Sequence, residues 1–249
     1  MENKILEVHN LSKIYHQKNG EVLSLKDISF DIYNHEFVSI VGPSGCGKST
    51  LLGIISNIID KSSGNIKFYK KDFRIGCMLQ EDALLDWLTI LDNCLLGLKI
   101  TNNLNKKTKS YVIDLINKYG LKDFMNSYPK NLSGGMKQKV ALIRTLAICP
   151  DILLLDEPFS ALDYQSRLSV SEDVYNIIKK EKKTVIMITH DIAEAISLSD
   201  KIIVLSKRPS IVKKIYDIKM ENKSTPINNR TCKEFSDYYD KIWRDLDEI

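Results

Sequence analysis

The stretch Gly42-Pro43-Ser44-Gly45-Cys46-Gly47-Lys48-Ser49, with Thr50 after it, decides the fold. Before it runs Phe37-Val38-Ser39-Ile40-Val41, continuously apolar but for one serine, and after it residues 51–59 read as an apolar helix. A strand that breaks into a glycine-rich turn and then opens a helix lets successive backbone N–H groups point inward around an anion. Lys48 brings a point charge for β- and γ-phosphates, and the Ser49 hydroxyl is a ligand for Mg²⁺. The helix starting near Lys48 adds its positive dipole end. The stretch therefore predicts a nucleoside triphosphate site. Cys46 within it reads either as a thiol activated at a helix N-terminus or, more simply, as a small side chain in a tight loop.

Working outward, residues 152–155, 185–188 and 202–205 form three further short apolar runs. All are continuous rather than alternating, as in parallel strands buried on both faces. The runs at 37–41, 152–155 and 185–188 end in Gly42-Pro43-Ser44-Gly45, Asp156-Glu157-Pro158 and Thr189-His190-Asp191. Ligands of open parallel sheets bind beyond the carboxyl ends of the strands, so three reactive clusters are expected to converge on one sheet edge. Adjacent side chains on a strand face opposite ways, which separates the two acids. Asp156 is placed for the Mg²⁺ shell and Glu157 for the attacking water as a general base. A lone histidine is more often structural, but the position of His190 after an apolar strand favours contact with a γ-phosphate. Gln80 closes the run at 75–79 and could sense the metal or that phosphate. Leu132-Ser133-Gly134-Gly135-Met136-Lys137-Gln138 opens a second amphipathic helix, with Ser133 at its N-cap. Taken alone, that pattern reads as capping.

Between residues 80 and 150 the texture turns helical, with Val112, Leu115, Ile116 and Tyr119 on one face and Met136, Val140, Ile143, Leu146 and Ala147 on another. Residues 101–109, with three lysines, read as a solvated loop, a lipid- or phosphate-facing patch being the lesser reading. Beyond Ser206 the chain reads as a polar tail until Phe235, Tyr239, Ile242 and Leu246 mark one final helix. Of the 249 residues, 43% are hydrophobic and 27% charged, which argues against disorder. Thirty-six basic against 32 acidic side chains leave +4, too mild to indicate nucleic acid. No apolar run approaches the roughly 18 residues of a bilayer span. Met1-Glu2-Asn3-Lys4-Ile5 lacks the features of a signal peptide, so the expected location is the cytosol. Cys46, Cys77, Cys94, Cys149 and Cys232 form no CxxC pair, against both a disulfide framework and a zinc ribbon.

With these motifs in hand, nearly the whole chain resembles the ATP-binding subunits of ABC transporters. On that resemblance Tyr15 is the aromatic that stacks on adenine, although core packing also accounts for it. Gly42, Pro43, Ser44, Gly45, Cys46, Gly47, Lys48 and Ser49 are the Walker A loop, with Thr50 beside it, and Gln80 is the Q-loop. Ser133, Gly134, Gly135 and Gln138 belong to the signature motif, and Asp156 and Glu157 end Walker B. Ser160-Ala161-Leu162-Asp163 is the D-loop, with Asp163 near nucleotide, and His190 is the switch histidine.

The resemblance implies an α/β fold: a P-loop NTPase (RecA-like) core with a mainly parallel sheet, an N-terminal antiparallel β part and a helical subdomain insert. It implies an ATPase domain over 1–206, with core 1–80 and 150–206 and insert 81–149, and a C-terminal extension over 207–249 ending in a helix. ATP is the implied substrate and Mg²⁺ the metal, held by Ser49, Gln80 and Asp156. The implied partners are a second copy in a head-to-tail dimer, transmembrane permease subunits and, indirectly, a substrate-binding protein, with no nucleic acid. Ser133, Gly134 and Gly135 of one subunit would cover the ATP held by Lys48 of the other. The implied location is the cytoplasmic face of the membrane, peripheral through the permease.

Leu84-Leu85-Asp86-Trp87-Leu88-Thr89-Ile90-Leu91-Asp92-Asn93, then Leu96-Gly97-Leu98, resembles the importers for nitrate, sulfonates, taurine and related small compounds. So does the tail from Arg208-Pro209-Ser210-Ile211-Val212 to Ile242-Trp243, except for Lys223-Ser224-Thr225-Pro226, where the group usually has a Pro-Arg step. Trp87 and Leu88 read equally as docking residues for a permease helix and as ordinary core. Lys139 stands where Arg is usual after the signature and lacks its planar fork, and Ile143 and Thr145 occupy positions where alanines are common. Two other classes share the nucleotide motifs. A soluble repair or translation ATPase usually carries duplicated units or coiled-coil insertions, which this chain lacks, and the presence of both Glu157 and His190 speaks against a non-catalytic regulator.

Overall fold

The computed structural model describes residues 3–18, 20–80 and 83–247. Met1 and Glu2 of the N-terminal stretch, and Glu81 and Asp82 at the start of the expected helical insert, lie outside the described residues. The chain forms two compact units, Met1–Phe73 with Lys182–Ile249 and Arg74–Glu181.

The first unit opens with β1 (Lys4–Gln17) and β2 (Gly20–Tyr33), paired antiparallel with Leu6 opposite Ile32 and Val8 opposite Phe30. On β2, Ile28, Phe30 and Ile32 are buried at alternate positions, the period-2 signature of a strand with one covered face. β3 (Phe37–Val41) is buried at every position, as a central strand covered on both faces requires. The loop over residues 42–47 leads into α1 (Lys48–Ile55), and β4 (Ser63–Phe68) returns to pair antiparallel with β1. The helix is shorter than the apolar run over 51–59 suggested. Asn57 sits in the left-handed region, and the N–H groups of Ile58 and Ile59 both turn back to the Gly53 carbonyl. Two of those apolar residues thus belong to the turn, and Ile58 is 74% exposed.

The second unit begins with β5 (Ile75–Met78) and continues through α2 (Ile90–Ile100), α3 (Lys106–Lys118) and α4 (Gly134–Ala147) to β6 (Ile152–Asp156) and α5 (Tyr164–Lys180). β5 and β6 are parallel, with Ile75 opposite Ile152 and Met78 opposite Leu155. The solvated-loop reading of 101–109 holds for exposure but not for structure beyond Asn105. Asn105 and Thr108 form a reciprocal capping box there, so the three lysines lie in the first turn of α3. At the other end of this unit the Glu181 carboxylate accepts from Lys118 and from the hydroxyls of Tyr111 and Tyr119.

The chain then returns to the first unit with β7 (Thr184–Ile188), α6 (Ile192–Leu198), β8 (Lys201–Leu205), β9 (Val212–Asp217), α7 (Pro226–Asn229) and α8 (Lys233–Asp247). β3 lies between β7 and β8, parallel to both, with Ile40 opposite Ile188 and Val41 opposite Val204. β9 closes that edge antiparallel to β8. It corrects the reading of a polar tail with one final helix: Lys213 and Lys214 mask a strand whose charged, half-exposed pattern is that of a sheet edge. α8 buries Ile242 against Ile192, Ile196 and Tyr216, with Phe235, Tyr239 and Leu246 packed around it. No helix among the described residues is long and apolar enough to cross a membrane, and no two of the cysteines are joined in a disulfide.

Candidate nucleotide-binding site

β3 delivers the chain into the glycine-rich loop, and Gly47 caps the helix that follows with a φ of 113°. That backbone conformation favours glycine, and a Cβ there would also lie 2.9 Å from Leu25 Cδ2 and 3.0 Å from Ser24 Oγ, so those side chains would have to shift. Lys48 is only 7% exposed, and its Nζ donates to the carbonyls of Gly42 at 2.8 Å and Pro43 at 3.0 Å. The Cys46 N–H also donates to the Pro43 oxygen, at 3.2 Å. The lysine charge is therefore held by the inner carbonyls of its own loop, next to a helix start whose first N–H groups have no partner within the helix. Ser44, Gly45 and Ser49 are exposed, whereas Cys46 is 1% exposed and lies beneath Gly42. That burial matches a small side chain filling a tight loop rather than an accessible thiol.

Tyr15, on β1, is half-buried, and its hydroxyl lies 3.3 Å from Thr50 Oγ1. The Lys13 ammonium sits 4.9 Å from the centre of the tyrosine ring. An aromatic ring thus stands directly beside the phosphate-loop helix. Because β7 runs parallel to β3 with Ile188 opposite Ile40, the segments at 42–45 and 189–191 leave the sheet at the same end, as expected for those two clusters. Thr189 is buried, Asp191 caps α6 by accepting from the Glu194 N–H, and His190 between them is exposed.

In the second unit, β6 ends at Asp156, and both Asp156 and Glu157 are half-buried. Glu157 has a φ of 44°, a costly conformation for a residue with a Cβ, and the N–H and hydroxyl of Ser160 both donate to its carbonyl. This bend re-aims the chain directly after the strand. Asp163 caps α5, and hydrogen bonds from Ser166 hold its carboxyl below the usual aspartate range. Gln80 is exposed two residues past the end of β5.

Ser133 caps α4, accepting from the Met136 N–H at 3.3 Å, and Ser133 and Gly134 are exposed. A Cβ on Gly135 would lie 2.7 Å from Val170 Cγ2, so the helix start packs closely on α5. Gln138 is 4% exposed, and its Oε1 has no hydrogen-bond partner. The departures noted in the sequence are accommodated nearby. Lys139 forms an ion pair with Asp173 at 2.6 Å, Ile143 is fully buried, and the Thr145 hydroxyl donates to the Ala141 carbonyl at 2.8 Å.

Among the described residues there is no group of three or more histidines, cysteines or acids that could hold a metal ion. The expected donors, the Ser49 hydroxyl, the Asp156 carboxylate and the Gln80 amide, are hard oxygen ligands. Oxygen donors of this kind are the ones Mg²⁺ takes, and it keeps several waters and is bound through one or two protein groups plus substrate phosphates.

Two features were missed at the level of residue patterns. Asn93, fully buried, donates through Nδ2 to the carbonyls of Leu85, Leu88 and Thr89, each at 3.1 Å, and accepts from the Leu85 N–H at 2.8 Å. It ties the segment before α2 into a compact turn that leaves Trp87 73% exposed and Leu88 half-buried. The ordinary-core reading of Trp87 is thereby excluded within the chain. The second feature is Arg208, whose Nη2 donates to the Gly45 carbonyl at 2.7 Å. No local signal in the sequence announces that contact.

Comparison with known proteins adds an independent line. Residues 25–160 match the family described as ABC transporter. The uncharacterized ABC transporter ATP-binding protein YtlC of Bacillus subtilis is 41% identical over 98% of this chain and 96% of its own length. The nitrate import ATP-binding protein NrtD of Synechocystis is 38% identical, covering 95% of this chain and 93% of the relative. The aliphatic sulfonates import ATP-binding protein SsuB of Bacillus thuringiensis is 36% identical, covering 95% and 94%. Among solved structures, the dimeric post-hydrolysis state of the ATP-binding cassette MJ0796 bound to ADP and Pi superposes with a TM-score of 0.73 at 30% identity, over 86% of this chain and 99% of that one.

Proposed function

Since this chain belongs to the ABC transporter family as an ATP-hydrolysing, ATP-binding subunit, we propose that it powers an importer for nitrate, a sulfonate, taurine or a related small organic compound. The observation that carries the reading is the buried Lys48 ammonium, locked onto the carbonyls of the loop that would wrap the phosphates. Its likeness over nearly the full chain to relatives named for nitrate and sulfonate import supports the choice among transported compounds.

In this proposal the loop over residues 42–50 binds the ATP phosphates, Lys48 neutralises the β- and γ-phosphates, and Tyr15 stacks on adenine. Mg²⁺, carried in with the nucleotide, would be held by Ser49, Asp156 and Gln80 and would offset phosphate charge. Glu157 accepts a proton from water as the water oxygen bonds to the γ-phosphorus. The bond from that phosphorus to the bridging oxygen breaks, and ADP and phosphate leave. His190 orients the attacking water and contacts the γ-phosphate.

The exposed cap of α4 suits a second half-site: Ser133, Gly134 and Gly135 of one copy cover the ATP held by Lys48 of the other in a head-to-tail dimer. Gln138 and Asp163 serve that same closed state. Exposed Trp87 and half-buried Leu88 are the proposed seat of a permease helix, at the cytoplasmic face of the membrane, with a substrate-binding protein acting indirectly. Residues 1–206 then constitute the ATPase domain, with its helical insert over 81–149, and residues 207–249 a C-terminal extension.

The test is Ser133→Arg. This variant is expected to bind ATP normally yet remain monomeric by light scattering when ATP is present under non-hydrolysing conditions, where the wild-type chain dimerises. Normal ATP-driven dimerisation of the variant would remove the composite site. For the cargo, deletion of the gene should abolish uptake of one compound in the nitrate and sulfonate panel, and undiminished uptake of all would reject this substrate class.

A further inference from the structure

Arg208 lies in the strap of residues 206–211 between β8 and β9, far in sequence from the phosphate loop. The strap is fastened at both levels. Internally, the Ser206 N–H donates to the Ile211 carbonyl at 3.0 Å, and the Ser210 hydroxyl to the Ser206 carbonyl at 3.1 Å. Externally, the fully buried Ser210 exchanges backbone hydrogen bonds with β2, donating to Ser24 at 3.0 Å and accepting from Lys26 at 2.8 Å. The same stretch of β2 backs the loop from below, since Ser24 and Leu25 crowd Gly47. Arg208 is therefore mounted on a fixed frame, and from it Nη2 donates to the Gly45 carbonyl at 2.7 Å.

That carbonyl belongs to the planar peptide whose other end is the Cys46 N–H. Fixing the oxygen on the guanidinium fixes the N–H pointing the other way, and the N–H donates to the Pro43 carbonyl at 3.2 Å. The Pro43 oxygen is one of the two that hold Lys48 Nζ. The connection runs through contiguous hydrogen bonds from Arg208 to the Gly45–Cys46 peptide, to Pro43, to the ammonium. Gly45 itself has a φ of 72° and nothing within 4 Å of a Cβ position, so packing around its side-chain position does not hold this peptide in place. The guanidinium also places a permanent positive charge on the exposed shoulder of a loop built for an anion.

We infer that Arg208 is a positioning residue for nucleotide binding: the strap holds the Gly45–Cys46 peptide, and with it Lys48, in the phosphate-receiving arrangement before ATP arrives. The inference rests on the reading that the Lys48 loop holds ATP. Preorganisation of this kind acts on ground-state binding, so it should move KM for ATP and leave the chemical step alone.

The experiment measures kcat and KM for ATP hydrolysis, and the melting temperature without nucleotide, for the wild type, Arg208→Met, Arg208→Gln, Arg208→Lys and Lys48→Ala. Arg208→Met is expected to raise KM about five- to tenfold, the loss of one charge-assisted hydrogen bond, with kcat and melting temperature close to wild type. Arg208→Gln, too short to reach Gly45, should behave the same and guards against a defect peculiar to methionine. Arg208→Lys, which keeps the charge and one donor, should bring KM back to within about twofold of wild type. An unchanged KM in the methionine and glutamine variants, with a raised KM in Lys48→Ala, overturns the role of Arg208 alone. A fall in kcat and melting temperature that lysine does not rescue overturns it too, in favour of a purely structural strap. Wild-type KM in Lys48→Ala overturns the underlying reading of the loop.

Discussion

The phosphate loop of the first unit and the signature segment of the second are both glycine-bearing helix starts, yet they are built in opposite ways. Around the loop the chain supplies its own constraints: Leu25 and Ser24 press on Gly47, Arg208 holds Gly45, and Lys48 is buried on two carbonyls. At the signature, Ser133 caps one N–H, Gly135 packs on Val170, and Ser133 and Gly134 remain open to solvent. A helix start braced by its own chain around a buried lysine is ready to bind an anion by itself. One that keeps its donors exposed is suited to a partner that arrives from outside. On the proposed reading, the difference suits the first region to nucleotide capture and the second to closure.

Three substitutions probe this division, beginning with the largest effect. Glu157→Gln removes the proposed base, which lies in the second unit. Phosphate release should fall by about 10²–10⁴-fold while calorimetric ATP affinity stays at the wild-type value. Undiminished release would end the assigned role. Lys48→Ala strikes the capture side, and ATP affinity should weaken by about ten- to a hundredfold, as expected when a charged hydrogen-bond donor is lost. Equal affinity of the two proteins would erase the distinction between the regions. Gly135→Ala is the smallest: with Val170 Cγ2 only 2.7 Å from the new methyl, denaturant titration should show a loss of about 1–3 kcal/mol. Affinity for ATP should not change with it, and a parallel loss of affinity would mean that the two helix starts are coupled.

What could be read along the chain was what depends on neighbours in sequence. The run at 37–41 reads as a strand because it is short, almost continuously apolar and ends in a glycine-rich turn, and the helix begins at Lys48 because Gly47 can take the left-handed turn before it. Local reading failed where a side chain carried two messages. Ile58 and Ile59 extended an apolar pattern past the point where Asn57 reverses the chain, and Lys213 and Lys214 concealed an edge strand that only its partner β8 reveals. The start of α3 was legible in principle from Asn105 and Thr108, but their capping box lacks the usual acidic partner and lay inside a lysine-rich stretch.

By itself, then, the sequence determined the class of chemistry: glycines that let a backbone wrap phosphate, a lysine to neutralise it, two acids at a strand end and a histidine after another. These are identities within short segments, and their meaning survives without coordinates. The tertiary structure decided which residues support them. Arg208 meets Gly45 across 163 positions, and Tyr15 meets Thr50 across 35, through strand register that no local pattern encodes. It also decided that Trp87 faces outward and Cys46 inward, because exposure is a property of what packs on a residue and not of the residue itself.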